Sequence, residues 1–492
     1  MPTYDLDLLV LGGGAAGLTA AGTAGTLGVK TMLVDRARLG GDCTWTGCVP
    51  SKTLLHAADG RARARAFVDA YGAEGATVPE VDFPAVMRHV RELRETVYHE
   101  ADDPSIFEAM GVDVVQARGR FVGPHEAELT ADDGTTRRVT FRMAVLCTGG
   151  RAAPPPIDGL DATPHLTNED LFEIEDRPDH LVIVGAGPIG CEMGQAFRRL
   201  GADVTVIDRA DRPLGKDDAD HARILQGALE AEGVHFQFGA TIERVEAADG
   251  GVRVHLKTGA PVEGSHLLIA TGRRPNVEDV GLDAAGVAFT DKGIRVDERC
   301  RTSQAHIWAA GDCTGEYELT HMSEHMAKTA VTNAVLKVPA KMDRRGVPWT
   351  TFTTPEVAQV GRTGQQLRDD GEAFETYTFP YSKVDRAITE GATTGHIKLH
   401  ATRWRGKVLG ASVVGERAGE VAALYGVAMK GGVSASTISD TIVAYPTYAL
   451  AARRAADQWY VRKAFPSVIG VVKRVLGYRG TLPPSPSPDR VV

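Results

Sequence analysis

Two cysteines in a glycine-rich segment are the residues of this chain best placed for chemistry. Cys43 and Cys48 lie five positions apart in the run GGDCTWTGCVPSK, which occupies positions 40–52. Pro50 suits the first turn of a helix, and thiols near a helix N-terminus ionise readily near neutral pH. Lys52 would share a helical face with Cys48 and favour its thiolate. The pattern predicts a redox-active pair in a turn before a helix, against the alternative of two inert buried cysteines.

Two segments that surround this pair in the chain repeat one pattern of strand, Gly-x-Gly-x-x-Gly, helix, strand and acidic residue. The positions that define the pattern are Gly12, Gly14, Gly17 and Asp35 in the first copy, and Gly185, Gly187, Gly190 and Asp208 in the second. Glycines let the backbone approach a pyrophosphate, the helix N-terminus attracts its charge, and the acid accepts ribose hydroxyls. The sequence therefore predicts two dinucleotide-binding sites rather than two ordinary glycine turns.

Composition limits the classes of protein to which the chain can belong. The chain has 492 residues and a net charge of −9, which suggests about three domains and argues against a nucleic-acid partner. The chain has no apolar stretch of 18 residues or more, so the sequence predicts no membrane-spanning helix. Six cysteines are too few for a secreted disulfide framework, so a cytoplasmic location is expected. The chain contains no Cys-x-x-Cys motif and no histidine-rich tract, so the sequence predicts no metal site.

Further strand-and-glycine turns complete the pattern. Positions 144–150 (AVLCTGG) and 267–276 (LLIATGRRPN) are buried strands that run into glycine turns, and 307–312 (IWAAGD) is a strand before a Gly-Asp turn. From about Val347 onward, strand-like runs alternate with a helical stretch. The sequence thus predicts an α/β fold with two Rossmann-like dinucleotide-binding domains and a C-terminal α+β domain. The proline-rich segment Leu482–Val492 predicts a disordered tail.

The cysteine segment, both fingerprints and these turns resemble the class I pyridine nucleotide–disulfide oxidoreductases, across about residues 4–460. The resemblance implies an FAD-binding domain at 1–150, an NAD(P)H-binding domain at 151–275, a central domain at 276–345 that completes the FAD site, and a dimerisation domain at 346–465. Residues 466–492 would form a C-terminal extension. It also implies a homodimer, with no nucleic acid or membrane as partner.

The resemblance assigns roles to individual residues. Cys48 would be the thiolate next to the flavin, Cys43 the thiol that attacks the substrate, and Lys52 would pair with Glu192 beside the flavin ring. A surface position is the alternative for Glu192. Besides the fingerprint residues of both copies, the expected cofactor-binding residues are Gly41, Lys52, Thr148, Gly149, Gly272, Arg273, Gly311 and Asp312.

Asp208 favours NADH over NADPH, because a carboxylate accepts ribose hydroxyls and repels a 2′-phosphate. Arg209 and Arg212 lie close enough in sequence to weaken this preference.

The chain departs from the family near its C-terminus. Disulfide reductases of the family carry a His-Pro-Thr motif with a glutamate five residues after the histidine, whereas this chain has Tyr445 and Leu450 at those positions. A tyrosine, with a pKa near ~10, is a poor base at neutral pH. Mercuric reductases also carry a tyrosine there, so the chain most resembles a mercuric-reductase-like subgroup, although no cysteine follows Cys313. Packing of Tyr445 and Tyr448 at an interface is the alternative interpretation.

The expected function is that of an FAD-dependent NAD(P)H oxidoreductase, which passes electrons through Cys43–Cys48 to a small disulfide or thiol compound or to a soft metal ion. A dithiol oxidase of a biosynthetic pathway and a flavin-binding redox sensor without turnover are the alternatives. For the apolar, basic segment at 465–480, packing within the dimer is preferred to membrane-surface or partner docking, because Gly470 and Gly477 weaken an amphipathic helix.

Overall fold

The computed structural model describes residues 3–461 and 465–479. In chain order, the strands are β1 (Leu6–Leu11), β2 (Thr31–Asp35), β3 (Val112–Gln116), β4 (Arg118–Gly123), β5 (Glu126–Thr130), β6 (Thr136–Leu146), β7 (Gly150–Ala152), β8 (His180–Val184), β9 (Asp203–Ile207), β10 (Val234–Gln237), β11 (Ile242–Ala248), β12 (Gly251–Leu256), β13 (Val262–Gly264), β14 (His266–Ile269), β15 (Arg273–Pro275), β16 (Phe289–Thr290), β17 (Gly293–Ile294), β18 (Ile307–Ala309), β19 (Pro348–Thr351), β20 (Glu356–Gly361), β21 (Glu375–Pro380), β22 (His396–Ala401) and β23 (Val408–Gly415). The α-helices are α1 (Ala15–Thr26), α2 (Gly41–Trp45), α3 (Cys48–Tyr71), α4 (Phe83–Val97), α5 (Pro104–Ala109), α6 (Pro188–Leu200), α7 (Ala219–Ala231), α8 (Thr320–Val331), α9 (Gly364–Asp369), α10 (Asp385–Glu390), α11 (Ala418–Gly431), α12 (Ala435–Asp440), α13 (Ala449–Trp459) and α14 (Phe465–Leu476).

The chain forms two compact units, each built from separate stretches of sequence. The first unit comprises Met1–Gly185, Leu200–Ala202 and Ile242–Met342, and the second comprises Ala186–Arg199, Asp203–Thr241 and Asp343–Val492. The two units are described separately.

A mixed sheet forms the centre of the first unit. Strands β3, β2, β1, β6 and β18 are parallel, and β5 and β4 extend the sheet from β6 in antiparallel fashion. Strands β1 and β18 and the segment Phe141–Leu146 of β6 are mostly apolar, as expected where both faces of a sheet are covered. Helix α1 consists largely of alanine, glycine and threonine, and its buried small residues let it pack closely against its neighbours. The predicted α/β fold and the predicted strand at Ile307–Ala309 are confirmed.

The second unit contains an antiparallel sheet in the order β19-β20-β23-β22-β21. Tyr377, Tyr381 and Tyr425 are fully buried in its core, where α11 and α13 also contribute small side chains. The same unit contains the parallel pair β9 and β10 and the helices α6 and α7. The strand and helix alternation predicted after Val347 is therefore confirmed.

A final helix follows the antiparallel sheet. Helix α14 spans Phe465–Leu476 with Gly470 inside it, and Gly477 follows with φ +70°. The two glycines thus do not prevent the helix, because one of them serves at its C-terminal end, where a left-handed residue is favoured. The predicted disordered tail at 482–492 lies outside the described residues. No helix within 3–461 or 465–479 has the length and hydropathy that crossing a membrane requires.

Candidate functional site

The two cysteines of the predicted redox pair lie at the start of successive helices in the first unit. Cys43 is in the short helix α2 rather than in an open turn, and Cys48 is the first residue of the long helix α3. Gly40 precedes α2 with φ +105°, a conformation that favours glycine. Cys48 therefore lies at a helix N-terminus, where a thiolate is stabilised.

The two thiols are coupled, and the negative charge belongs on Cys48. The pKa of Cys48 is lowered to about 6, mainly by a hydrogen bond from Cys43, and the Thr320 hydroxyl and the Lys52 ammonium contribute to this lowering. The Thr320 Oγ1 lies 3.4 Å from the Cys48 Sγ. The same shared hydrogen bond, followed by burial, raises the pKa of Cys43. In the reduced pair, one thiol thus holds its proton while the other ionises near neutral pH.

An ion-paired arginine connects the cysteine segment to the turns of the central region. The Arg273 Nη2 lies 2.9 Å from an oxygen of Asp42 and 3.7 Å from an oxygen of Asp312. Asn168 also donates to Asp42, at 3.1 Å. Sequence reasoning missed Asp42 and Thr320. Asp42 could have been noticed as the acid beside Cys43, but no spacing pattern connects Thr320 to Cys48 across 272 positions.

The first fingerprint forms a cradle that only glycines allow. A Cβ at Gly17 would lie 1.7 Å from the carbonyl oxygen of Gly12, whose own φ is +105°. Gly41 lies so close to Gly14 that a Cβ added at Gly41 would lie 2.7 Å from the Cα of Gly14. No side chain caps the N-terminus of α1 at Gly14. Backbone N–H groups at an open helix start, lined by glycines, fit the pyrophosphate of a dinucleotide.

Asp35 holds the first fingerprint loop in place. Its Oδ2 accepts from the Gly13 N–H at 2.5 Å, and its Oδ1 accepts from the Ala37 N–H at 2.8 Å. Burial raises the pKa of this carboxyl.

A cavity of about 670 Å³ in this unit has Ala15 of α1 and Cys43 among its lining residues.

Two glycine turns of the first unit bind each other near this cradle. The Thr148 hydroxyl donates to the Asn276 carbonyl at 2.7 Å, and the Asn276 side chain donates to the Thr148 carbonyl at 2.9 Å. Gly149 and Gly311 adopt φ values of +69° and +82°.

Asp312 and Gly272, two other expected cofactor-binding residues of this region, lie in different environments. Burial raises the pKa of Asp312 to about 6. Gly272 is exposed with open space around it, so no steric requirement for glycine exists there.

The second fingerprint repeats the hydrogen bonding of the first. Asp208 accepts from the Ala186 N–H at 2.6 Å and from the Ala210 N–H at 2.8 Å, as Asp35 does at the equivalent positions. A Cβ at Gly185 would meet the Ala270 carbonyl oxygen at 2.5 Å, and φ at Gly185 is +109°. Gly190 is buried at the start of α6, whereas Gly187 has free space around it.

The environment of Glu192 excludes a surface position. Glu192 is 3% exposed, and its Oε1 accepts a hydrogen bond from the Phe352 N–H at 2.8 Å. Lys52 and Glu192 lie in different units, so their expected pairing stays a prediction.

The two tyrosines near the C-terminus have different environments. Tyr445 is 70% exposed, and a hydrogen bond to Asp385 raises its pKa. Tyr448 is buried within the chain, and its hydroxyl donates to Glu390 at 2.7 Å. Tyr445 is therefore the one of these two residues whose hydroxyl is open to a ligand or a partner subunit.

The other four cysteines, Cys147, Cys191, Cys300 and Cys313, are buried. Burial raises the pKa of Cys147, Cys191 and Cys313, so these three thiols keep their protons at neutral pH. In the parts of the chain that the structure describes, no three His, Cys, Asp or Glu side chains are grouped to hold a metal ion.

Comparisons with known proteins agree with this geometry. Residues 6–327 match the family model "Pyridine nucleotide-disulphide oxidoreductase", and residues 347–456 match the dimerisation domain of the same family. A mercuric reductase of Bacillus cereus is 33% identical over 91% of this chain and 70% of its own length. A dihydrolipoyl dehydrogenase of Staphylococcus aureus is 30% identical over 92% of this chain and 96% of its own length.

A solved structure of similar fold is the Cu(II) complex of RclA, a HOCl-induced flavoprotein disulfide reductase from Escherichia coli. It has a TM-score of 0.83 and 26% identity, and the match covers 93% of this chain and 99% of that one. The matched models together span most of the sequence, at residues 6–327 and 347–456. This chain belongs to the class I pyridine nucleotide–disulfide oxidoreductases, which are FAD-dependent and use NAD(P)H.

Proposed function

We propose that this protein takes electrons from NADH, through FAD, onto the Cys43–Cys48 disulfide, and passes them to a soft metal ion or a small disulfide or thiol compound. The observation that carries the proposal is the coupled pair, in which the pKa of Cys48 is lowered to about 6 while that of Cys43 is raised. Two electrons and one proton convert the disulfide into one thiolate and one thiol. The pair thus suits storage of two electrons at neutral pH, with the charge on Cys48.

The residues of the first unit fit FAD. Gly12, Gly14 and Gly17 with the open start of α1 would hold the pyrophosphate, and Asp35 would bind the ribose hydroxyls through oxygens that the loop already orients. We assign Gly41, Thr148, Gly149, Gly272, Arg273, Gly311 and Asp312 to the rest of the FAD site, with Lys52 and Glu192 beside the flavin ring. Bound at these residues, FAD would supply the chemistry of hydride acceptance from the nicotinamide and of two-electron transfer to the Cys43–Cys48 disulfide.

For the second dinucleotide we propose NADH rather than NADPH. Gly185, Gly187 and Gly190 would receive its pyrophosphate, and Asp208 would accept its ribose hydroxyls. The guanidinium of Arg212 is engaged by Asp211 at 3.1 Å and by the Gly215 carbonyl at 3.2 Å. An arginine held by its own loop is less available to bind a 2′-phosphate, which supports the choice of NADH.

Among possible acceptors, the environment of Tyr445 favours a soft metal ion. Reduction of a disulfide substrate leaves a thiolate that needs a proton from a nearby acid, and the family's histidine is replaced here. Because the hydrogen bond to Asp385 raises the pKa of Tyr445, this hydroxyl stays protonated and is a weak acid–base group. A soft metal ion needs no proton from the protein, and thiolates are its preferred ligands, so the Cys48 thiolate would bind it first and its coordination would displace the proton that Cys43 holds. Two relatives are named mercuric reductase, and the RclA structure is a Cu(II) complex, which supports the same choice.

An anaerobic titration with NADH and, separately, NADPH tests the proposal. We expect two electrons to produce a long-wavelength absorption band, because the Cys48 thiolate would then lie against oxidised FAD. Cys43→Ser and Cys48→Ser are the matched variants. Cys43→Ser cannot form the disulfide, so the band should be present before NADH is added and disappear as the flavin is reduced, whereas Cys48→Ser should show no band at any stage. If NADH bleaches the flavin of the oxidised wild-type protein without this band, the cysteine pair is not coupled to FAD and the proposal fails.

Steady consumption of NADH with a panel of metal ions and disulfides then identifies the acceptor class. No turnover with any acceptor would favour a redox sensor, and turnover with a dithiol and NAD⁺ would favour a dithiol oxidase.

The matched dimerisation domain supports a homodimer, and a cytoplasmic location completes the proposal.

A further inference from the structure

One face of helix α6 carries three polar residues that are all used within the second unit. Glu192, Gln195 and Arg199 are spaced three and four positions apart, which places them on one side of the helix. Glu192 is 3% exposed and Gln195 is fully buried. Buried polar side chains are retained only where their hydrogen bonds are satisfied. The contacts of these residues therefore indicate what the face does.

This face holds the loop between β19 and β20 by its backbone. Gln195 binds Thr354 twice, because its Oε1 accepts from the Thr354 N–H at 2.8 Å and its Nε2 donates to the Thr354 carbonyl at 2.7 Å. Two residues earlier in the same loop, the Phe352 N–H donates to the Glu192 Oε1 at 2.8 Å. The loop residue that contacts Glu192 is thus fixed by Gln195.

A second carboxylate braces the glutamine itself. The Gln195 Nε2 also donates to the Glu232 Oε1 at 2.9 Å. Arg199 forms two hydrogen bonds to the carboxylate of Glu232, both at 2.7 Å, and a third to the Thr354 hydroxyl at 3.3 Å. The amide of Gln195 therefore has its orientation set by an acceptor and by the loop, and it cannot rotate without breaking at least two hydrogen bonds.

The consequence for Glu192 follows from the direction of this hydrogen bond. The Phe352 N–H fixes the direction in which the buried Glu192 carboxyl group points. Without the Gln195 amide, the N–H and C=O of the partly buried Thr354 would lose these partners, and the loop would be free to move. The Phe352 N–H would then no longer be aimed at Glu192.

We propose that Gln195 is a positioning residue, which acts through the Phe352–Thr354 loop to hold the Glu192 carboxylate in place for reduction of the flavin. The inference rests on the proposed function, because it takes the position of Glu192 beside the flavin ring from that proposal. Gln195 itself touches neither cofactor nor substrate.

Gln195→Met tests this role, because methionine keeps the length of the side chain and removes the amide. The matched control is Gln226→Met on helix α7, where the Gln226 amide donates to Glu230 at 2.8 Å near the surface. We expect Gln195→Met to lower the limiting rate of flavin reduction by NADH about tenfold, the order of magnitude of one hydrogen bond to a carboxylate. Gln226→Met should leave this rate unchanged.

A second readout separates positioning from folding. We expect the reduction potential of the bound flavin, measured by equilibration with a redox dye, to shift in Gln195→Met in the same direction as in Glu192→Gln. In a double-mutant cycle, the Gln195→Met/Glu192→Gln variant should be no slower than Glu192→Gln alone. If Gln195→Met gives too little folded protein, Gln195→Glu retains the acceptor for the Thr354 N–H and should show the same direction of change.

The outcomes distinguish the inference from the proposal on which it rests. If Glu192→Gln changes rate and potential but Gln195→Met and Gln195→Glu change only thermal stability, the inference is wrong and the proposed function stands. Additive effects in the cycle would also overturn the inference, since Gln195 would then act independently of Glu192. If Glu192→Gln changes neither quantity, the role proposed for Glu192 fails, and the inference falls with it.

Discussion

The hydroxyl of Thr320 should set how much of the Cys48 thiol is ionised at neutral pH. Thr320 begins helix α8, and its Oγ1 lies 3.4 Å from the Cys48 Sγ. The hydrogen bond from Cys43 is the largest cause of the lowered Cys48 pKa of about 6, and the bond from Thr320 adds to it. Thr320→Val keeps the shape of the side chain and removes this second donor, so the pKa of Cys48 should rise.

The size of the effect follows from the strength of such a bond. A hydrogen bond to a charged group contributes roughly 1.5–3 kcal/mol, and the long contact to a large sulfur atom belongs at the lower end of that range. At about 1.4 kcal/mol per pKa unit, the pKa should rise by about one unit, to roughly 7. The thiolate fraction at pH 7 should therefore fall from about nine-tenths to about one-half.

Alkylation of the reduced protein by iodoacetamide measures this pKa directly. The rate of modification of Cys48, followed by mass spectrometry from pH 4 to pH 9, should reach half its maximum near pH 6 in the wild type and about one unit higher in Thr320→Val. Thr96→Val is a matched control, because the Thr96 hydroxyl donates to the Glu92 carbonyl on a surface helix turn. An unchanged midpoint in Thr320→Val would refute the reasoning, because Cys43 and the start of α3 would then suffice to ionise Cys48.

Three further predictions concern stability, activity and cofactor binding. Burial lowers the pKa of His400 to about 4 from 6.5, so stability should be lost as pH falls through that window, by about 2 kcal/mol at pH 5. His400→Asn, which keeps an acceptor for the neighbouring threonine hydroxyl, should remove this part of the pH dependence in urea unfolding. Tyr445→His with Leu450→Glu should raise disulfide reductase activity, and no gain would mean that the cleft is built for another acceptor. Gly41→Ala should weaken FAD binding at least tenfold in reconstitution of the apoprotein, because the new Cβ would lie 2.7 Å from the Gly14 Cα, at φ +58°.

The sequence predicted the parts of the site that are built from local contacts. The contacts of Asp35 with Gly13 and of Asp208 with Ala186 span 22 positions each, within single strand–turn–helix–strand units. Such a unit has one favourable geometry, so glycine spacing and the acid at the end of the second strand suffice to predict it. The coupled cysteines are predictable for the same reason, because Cys43 and Cys48 lie on adjoining helices of one segment.

Contacts between distant segments were beyond the reach of sequence patterns. Arg273 was expected to bind a cofactor, but its ion pair with Asp42 depends on how β15 and α2 pack within the first unit. The two hydrogen bonds between Gln195 and Thr354 join positions 159 apart. Neither residue belongs to a motif, and a glutamine inside an amphipathic helix would ordinarily be expected to face solvent.

The same distinction explains why the acid–base chemistry of this protein could not be deduced from the substitution of Tyr445 alone. A tyrosine in place of histidine changes the available proton donor, but how strongly it holds its proton depends on its neighbours. Asp385 lies 60 positions earlier in the sequence and begins helix α10, and its hydrogen bond to Tyr445 raises the pKa of the hydroxyl. A carboxylate that holds the proton on the tyrosine makes the pair a poorer base and a more persistent hydrogen-bond donor. The local sequence thus shows that tyrosine stands where the histidine is expected, whereas the fold determines that the pKa of this tyrosine is raised, which is the basis of our proposal of an acceptor that needs no proton.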